Sequence, residues 1–274
     1  MNLIQYYEKN NLLTINQDPK TSKGTKEGYI TAIMYLAPAE LSGKNVCSFS
    51  TAGCRAVCLN QAGRGAFTYI QQSRLNRTRY FLIHRKDFLN NLVLRISNFL
   101  IYAEKKNLIP VIRLNGTSDI PFENIKIKLS DLLEYKKLDN KKHKKVFTAF
   151  IQKNGIKEHL NIMSIFSNVQ FYDYTKYPMN RRPKALIQSN YDLTFSRAEN
   201  NEAEALEYMR NFQGRSSFVF SDALPKTYKG FKVINADETD LRFLEPKNVI
   251  TGLVFKGTKA KLKEGIKSGF VIQS

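Results

Sequence analysis

Residues 29–65 of the 274-residue chain read YITAIMYLAPAELSGKNVCSFSTAGCRAVCLNQAGRG, and the rest of the fold is organised around this stretch. Its first part, Tyr29–Ala37, is short and apolar and predicts a β-strand that ends at Pro38. The loop that follows directly holds every cysteine of the chain: Cys47, Cys54 and Cys58. Thiols clustered in this way are typical of a metal site, because soft thiolate ligands select zinc or iron–sulfur clusters.

Three thiolates leave one position of the metal centre to another ligand. If zinc is bound, His84 on the predicted helix after the loop can complete a structural Cys3His site. If a four-iron cluster is bound, its fourth iron is left for a substrate or cofactor. A third interpretation is that the thiols bind no metal and are small buried side chains. The position of the loop directly after a central strand favours the cluster.

The charge balance predicts the kind of partner. Lys and Arg number 43 against 24 Asp and Glu, a formal net charge of +19, which favours nucleic acid. No apolar run is long enough to span a membrane, so no membrane partner is expected. The N-terminus does not resemble a signal peptide, and an odd number of cysteines argues against a disulfide framework. We therefore expect a cytoplasmic protein with reduced thiols.

The remaining chain alternates predicted strands with helical segments. Helices are expected over residues 66–105, as two helices or one bent helix, and over residues 202–212. This pattern predicts an α/β fold, a barrel or partial (β/α) barrel, in a single domain over residues 1–274; a doubly wound open sheet is the alternative. Residues 1–28 read as a basic N-terminal arm outside the core, and residues 123–160 as a Lys-rich insertion. The further strands are predicted at Ile109–Leu114, Val169–Tyr174, Tyr191–Ser196, Ser217–Phe220, Phe231–Ile234 and Val249–Phe255.

Polar residues follow several of these strands. In a barrel-like fold the carboxyl ends of the strands meet at one mouth, where carboxylates and amines suit acid–base or nucleophilic catalysis. Each such residue, taken alone, is also typical of a loop cap. Arg197 follows another strand and is a candidate cofactor ligand. The predicted catalytic residues are Asp119, Asp173, Lys176, Asp222 and Asp237.

A basic segment begins at the cysteine loop and continues into the first long helix. Its arginines suit contacts with phosphate groups, and the alternative is an ordinary solvated face. The Lys141–Lys145 run is more typical of a solvated loop. The predicted nucleic-acid-binding residues are Arg64, Arg74, Arg77 and Arg79.

A three-cysteine loop after the first strand of a part-barrel resembles the radical S-adenosylmethionine enzymes. Their usual spacing is C-x3-C-x2-C, whereas this chain has C-x6-C-x3-C. The resemblance implies a four-iron cluster whose open iron binds S-adenosylmethionine. In that family the second strand carries a cofactor-binding motif. The same position in this chain implies that Arg113, Asn115 and Gly116 bind the cofactor.

Motifs along nearly the whole chain resemble phage proteins of the gene-product-88 type. They include the cysteine loop, RLNGTSDIPFE, FYDYTK, LTFSRAEN and DETDLRFLEP. The resemblance implies a phage or prophage source, a bacterial host cell, and DNA or RNA as substrate.

Three functions remain open from the sequence. The first is a base- or nucleotide-modifying enzyme with an iron–sulfur centre. The second is a barrel transglycosylase that exchanges a base, with an Asp nucleophile and a structural zinc. The third is a zinc-stabilised nucleic-acid-binding protein without activity.

Overall fold

Short apolar runs bounded by polar residues build the strands of the computed structural model, which describes residues 2–17, 19–135 and 159–274. The strands are β1 (Thr14–Ile15), β2 (Tyr29–Ile33), β3 (Ile109–Arg113), β4 (Ile127–Lys128), β5 (His159–Leu160), β6 (Gln170–Thr175), β7 (Tyr191–Ser196), β8 (Arg215–Phe220), β9 (Thr227–Tyr228), β10 (Phe231–Asn235), β11 (Ile250–Val254) and β12 (Val271–Ile272). The α-helices are α1 (Leu3–Lys9), α2 (Pro19–Gly24), α3 (Ala52–Ala56), α4 (Thr68–Ile83), α5 (Arg85–Lys105), α6 (Leu129–Leu133), α7 (Ile162–Ile165), α8 (Pro183–Ile187), α9 (Glu202–Phe212) and α10 (Lys259–Ser268). Short 3-10 helices lie at Thr25–Glu27, Leu59–Gln61, Gly63–Ala66, Phe122–Asn124, Met179–Arg181 and Arg242–Leu244.

One ten-stranded sheet carries the fold, in the order β1-β2-β3-β6-β7-β8-β11-β10-β9, with β12 paired to β8. In this spatial order, the seven strands β2, β3, β6, β7, β8, β11 and β10 run parallel to one another. The outer strands β1 and β9 are antiparallel to the strands they join. The predicted α/β class is confirmed. The described sheet is open, because β1 and β9 end its strand order and do not pair with each other. Of the predicted barrel or partial barrel, the barrel is not confirmed.

The two expected long helices follow the cysteine loop. Helix α4 ends at Ile83 and α5 begins at Arg85, while His84 between them leaves the helical conformation. None of the described helices is long and apolar enough to cross a membrane. Helix α5 buries one stripe of residues at three- and four-residue spacing: Phe88, Leu92, Ile96, Phe99 and Ala103.

The N-terminal segment belongs to the core, so the expectation of an arm outside it is wrong. Tyr7, Leu12 and Leu13 are buried among mostly polar neighbours in sequence. The Tyr7 ring stacks on the Tyr80 ring, with their centres 5.1 Å apart. The backbone carbonyl of Tyr7 accepts a hydrogen bond from the Asn91 side chain at 2.8 Å. A few large apolar side chains are sufficient to anchor this polar segment.

The two described ends of the predicted insertion at 123–160 meet. Strand β4 pairs with β5 in a separate antiparallel sheet, so the described residues on the two sides of 136–158 lie next to each other. Glu123 itself is buried and ion-paired with Arg182, so the first residue of the predicted insertion is part of the core. The Lys141–Lys145 run lies outside the described residues.

Candidate functional site

A cleft of about 520 Å³ opens where the parallel strands end. This volume is within the roughly 300–1,000 Å³ of small-molecule sites. Its lining includes residues from the cysteine loop, the loop 115–119 after β3, and the ends of β6, β7 and β11. The predicted meeting of the cysteine loop with the ends of the strands is therefore observed. All three cysteines line the cleft: Cys47, Cys54 and Cys58.

Glu199, which follows β7, fixes the part of the loop that carries Cys54. Thr51 caps helix α3 by accepting a hydrogen bond from the Cys54 N–H at 3.1 Å, and its own hydroxyl donates to Glu199 at 2.6 Å. The second Glu199 oxygen accepts from the Gly53 N–H at 2.8 Å. Position 53 has no room for a side chain, because a Cβ there would lie 2.9 Å from this carboxylate. Glu199 is thus a positioning residue.

Arg74 and Arg77 on α4 point inward and brace the cysteine loop. Arg74 donates to the Asn60 side chain at 2.5 Å, and Arg77 donates to the Tyr35 carbonyl at 2.5 Å. Each residue is only 8% exposed. Both guanidinium groups donate to oxygen atoms of the loop and of the chain after β2, so neither side chain presents the solvent-facing surface that the predicted phosphate contacts need.

The three thiols are half-buried, and burial favours the protonated state of two of them. Burial raises the pKa of Cys47 to about 12, and burial also raises the pKa of Cys58. The Cys47 thiol donates to the Thr117 carbonyl at 3.6 Å. A bound cation would favour ionisation of these two thiols.

The arrangement of the thiols bears on a metal centre. Among residues 2–17, 19–135 and 159–274, no group of three or more Cys, His, Asp or Glu side chains is arranged as a metal site. The three cysteines still line one cavity and interact electrostatically with one another. Thiolate ligands suit both zinc and iron–sulfur clusters, so the donor set by itself does not distinguish the two.

His84 is too far along its helix to join the cysteines. Gln71, near the start of α4, contacts Asn60 beside the cysteine loop at 2.7 Å. His84 follows the last residue of α4, and a rise of 1.5 Å per residue places it roughly 20 Å beyond Gln71. Its ring packs near Tyr80 instead. The predicted Cys3His site with His84 is therefore wrong.

Asp173 lies beneath the cleft rather than in its lining. Its two oxygens accept hydrogen bonds from the backbone and side-chain amides of Asn115, at 2.8 and 3.1 Å, and from the Tyr191 hydroxyl at 3.0 Å. Burial raises the pKa of Asp173 to about 7. These contacts shape the loop that follows β3, so the structure gives Asp173 a positioning role, and its predicted catalytic role stays a prediction.

Asp119 lines the cleft, but both of its oxygens have partners. They accept from the Thr175 hydroxyl at 2.8 Å and from the Lys176 N–H at 2.7 Å. Burial raises the pKa of Asp119, and the Arg182 guanidinium at 3.6 Å opposes this rise. Arg182 also forms a two-pronged ion pair with Glu123, at 2.8 and 2.7 Å. Asp119 thus ties the loop after β3 to the end of β6.

The three residues expected to bind a cofactor through the motif after β3 all line the cleft. Arg113 forms an ion pair with Asp240 at 3.1 Å. Gly116 is required where the loop crosses Tyr35, because a Cβ at this position would approach the ring within 2.5 Å. Asn115 lies in the same wall.

The remaining predicted residues differ in position. Arg197 is buried outside the lining and donates to two backbone carbonyls beyond α10. Asp222 is exposed and also lies outside the lining. Asp237 lies in the lining and pairs with Lys20 and Lys256, at 2.8 and 2.6 Å. Burial favours the neutral Asp237 carboxyl, but hydrogen bonds from these lysines lower its pKa to about 2.

An exposed aromatic and basic surface continues from the cysteine loop. Phe67 and Tyr69 are 51% and 69% exposed, and their rings stack at 5.8 Å. Arg64 and Arg79 are exposed on the same segment. Of the four predicted nucleic-acid-binding arginines, only these two face solvent.

Sequence reasoning missed Glu199, Arg182 and Ser196. Ser196 is the last residue of β7, and Glu199 lies three residues after it. Both are close in sequence to Arg197, which was predicted as a cofactor ligand, so their position at the end of a predicted strand could have indicated them. Arg182 stands in a polar stretch, and its partner Glu123 lies 59 residues away. No local pattern indicates such a pair.

The open parallel sheet and its cleft define an α/β protein with a site at the carboxyl ends of the strands. The chain belongs to the gene product 88 family, because the family model "Gene product 88" matches residues 6–274. The resemblance seen in the sequence is thereby confirmed. Comparison with curated proteins and with solved structures found no match.

Proposed function

We propose that the protein is a nucleic-acid-modifying enzyme whose cleft holds an iron–sulfur centre on Cys47, Cys54 and Cys58. The observation that carries this proposal is that all three thiols line an open cleft of small-molecule size, beside a buried lysine. A purely structural metal site is closed by its protein ligands, whereas a catalytic centre needs open space beside it.

The cleft residues divide into ligands and positioning groups under this proposal. The cysteines would hold the cluster, which supplies one-electron chemistry when bound. Arg113, Asn115 and Gly116 form a polar wall suited to the amino-acid end of S-adenosylmethionine, as the sequence resemblance implies. Glu199 and Asp119 hold the loops that carry these residues.

Nucleic acid as substrate is supported by charge and by the exposed surface beside the loop. The formal net charge of +19 attracts polyanions. The stacked Phe67 and Tyr69 can accept an unpaired base, and Arg64 and Arg79 can contact phosphates. This arrangement favours a single strand, in which bases are available for stacking.

The parallel run from β2 to β8 follows the chain order and supports a partial (β/α) barrel as the scaffold. Sites in such folds lie at the carboxyl ends of the strands. We further propose that the chain acts as one domain in the reducing cytoplasm of a bacterial host.

The test is reductive cleavage of S-adenosylmethionine by protein reconstituted with iron and sulfide without oxygen. With dithionite as reductant, the wild-type protein is expected to release 5′-deoxyadenosine and methionine. Cys54→Ser should abolish release, whereas Ser48→Ala, an exposed change in the same loop, should retain it. Equal release by the Cys54→Ser protein, or none by a wild-type protein that contains iron, would contradict the proposal.

A further inference from the structure

The Lys176 side chain is a buried cation in the wall of the cleft. It is 9% exposed, its ammonium group donates to the Ser196 hydroxyl at 2.6 Å, and it lies 5.4 Å from the centre of the Phe270 ring. In the described part of the chain, no carboxylate lies within ion-pair distance of this ammonium group. Its positive charge is therefore not neutralised by direct contact.

Two other buried cations near the site have acidic partners in direct contact. Arg113 contacts Asp240 at 3.1 Å, and Arg182 contacts Glu123 at 2.7 Å. An unpaired buried charge is unfavourable, so such positions are retained where a ligand supplies the opposite charge. Asp119 and Glu199 interact with the Lys176 charge only beyond ion-pair distance. Lys176 lines the cleft, where an anion can enter.

We propose that Lys176 and Ser196 form an anion-binding subsite for a phosphate or carboxylate group of the ligand that occupies the cleft. A lysine ammonium has three hydrogens, and Ser196 accepts one, which leaves two for an oxyanion. The Ser196 hydroxyl has no acceptor within the described ranges and can donate its hydrogen to the same anion. Such charge-assisted hydrogen bonds are strong and position the ligand.

The subsite lies against the cysteine loop. The Tyr177 ring, next to Lys176 in sequence, contacts Phe49 of that loop with ring centres 4.2 Å apart. Lys176 and Cys58 both line the cleft. An anion held here would place the rest of the ligand beside the thiols. This subsite deepens the proposed function, and it rests on that function only for the reaction that follows binding.

Thermal unfolding in the presence of small anions tests the subsite. Inorganic phosphate and acetate are titrated separately against chloride at equal ionic strength, for the wild type, Lys176→Met and Lys86→Met. Lys86 is an exposed lysine outside the cleft. Lys86→Met is therefore the control: it removes one positive charge, as Lys176→Met does, but leaves the cleft unchanged. A ligand that binds only the native state raises the unfolding midpoint in a saturable way.

The wild type and Lys86→Met are expected to show this saturable rise. In Lys176→Met the apparent anion affinity should fall at least about tenfold, since a hydrogen bond to a charged group contributes that much or more. In chloride alone, Lys176→Met should be at least as stable as the wild type, because it removes an unpaired buried charge. A stronger response to phosphate indicates a phosphate ligand, and a stronger response to acetate indicates a carboxylate.

Three results would overturn the subsite: no saturable rise in the wild type, an unchanged rise in Lys176→Met, or a lower midpoint of Lys176→Met in chloride. The last result would mean that Lys176 stabilises the fold. The triple Cys→Ser protein is titrated in parallel and should keep the anion response. Loss of the metal centre and loss of the anion subsite are therefore distinguishable.

Discussion

The Glu123–Arg182 ion pair beneath the cleft gives the most quantitative prediction. Both side chains are fully buried, and two nearly parallel hydrogen bonds of 2.8 and 2.7 Å join them. Removing one partner of a buried pair leaves an uncompensated charge and costs about 3–5 kcal/mol. In Glu123→Gln, Asp119 remains 3.6 Å from Arg182, so we expect the lower end, about 3 kcal/mol.

Arg182→Met should be more damaging than Glu123→Gln. It removes the cation from two buried carboxylates, Glu123 and Asp119, so we expect a loss of about 5 kcal/mol in the free energy of unfolding. The double variant Glu123→Gln, Arg182→Met has no uncompensated charge at this pair. Its loss should be smaller than the sum of the single losses, by about 2 kcal/mol or more.

Urea unfolding followed by circular dichroism at pH 7.5 measures all four proteins of this cycle. Lys86→Met, which removes an exposed lysine from its pair with Asp131, serves as the control and should have little effect. Single losses of less than about 1 kcal/mol, or additive losses in the double variant, would refute the reasoning that this buried pair stabilises the fold.

Three further predictions concern the loop, the acid beneath it and the exposed surface. Glu199→Gln should lower the free energy of unfolding by about 1–2 kcal/mol and reduce metal retention. The reason is that the Glu199 carboxylate accepts hydrogen bonds from the Thr51 hydroxyl and the Gly53 N–H of the cysteine loop. The control Glu204→Gln, an exposed change on α9, should have neither effect. Because the pKa of Asp173 is raised to about 7, the native state holds its proton more tightly than the unfolded state, and stability should fall as pH rises from 5 to 8. This contribution of about 3 kcal/mol should be absent in Asp173→Asn, and an identical pH profile would show that Asp173 is already ionised at pH 5. Tyr69→Ala should weaken binding of a fluorescent single-stranded oligonucleotide by about 1–3 kcal/mol. The control is Tyr102→Ala, a change of an exposed tyrosine on α5, which should not weaken binding. Equal effects of the two changes would contradict stacking at Tyr69.

Most of the parallel sheet could be predicted from the sequence because its strands are short apolar runs bounded by polar residues. The predicted Tyr191–Ser196 strand matches β7, and Ser217–Phe220 lacks only the first two residues of β8. The closed barrel could not be excluded in this way, since closure depends on which strands form the edges. The short edge strand Thr14–Ile15 carries no strong local signal.

The location of the cleft was also predictable, because parallel strands place their carboxyl ends at one edge of the sheet. The hydrogen-bond partners and the direction of each side chain in the cleft were not predictable. Asp119 and Asp173 look like catalytic acids in sequence, yet partners from distant segments occupy their oxygens. Arg74 and Arg77 look like solvent-facing residues of a basic helix, yet both turn toward oxygen atoms of the cysteine loop and its approach. Such pairings depend on contacts between distant parts of the chain.

The most direct test of the central claim is the iron, sulfide and zinc content of protein purified without oxygen. We predict a brown protein with about four irons per chain. Each single change Cys47→Ser, Cys54→Ser and Cys58→Ser should lower the iron content sharply, while Ser48→Ala should leave it unchanged. A colourless protein with zinc in place of iron, or a triple Cys→Ser protein that keeps its full metal content, would contradict the assignment of these thiols to an iron–sulfur centre.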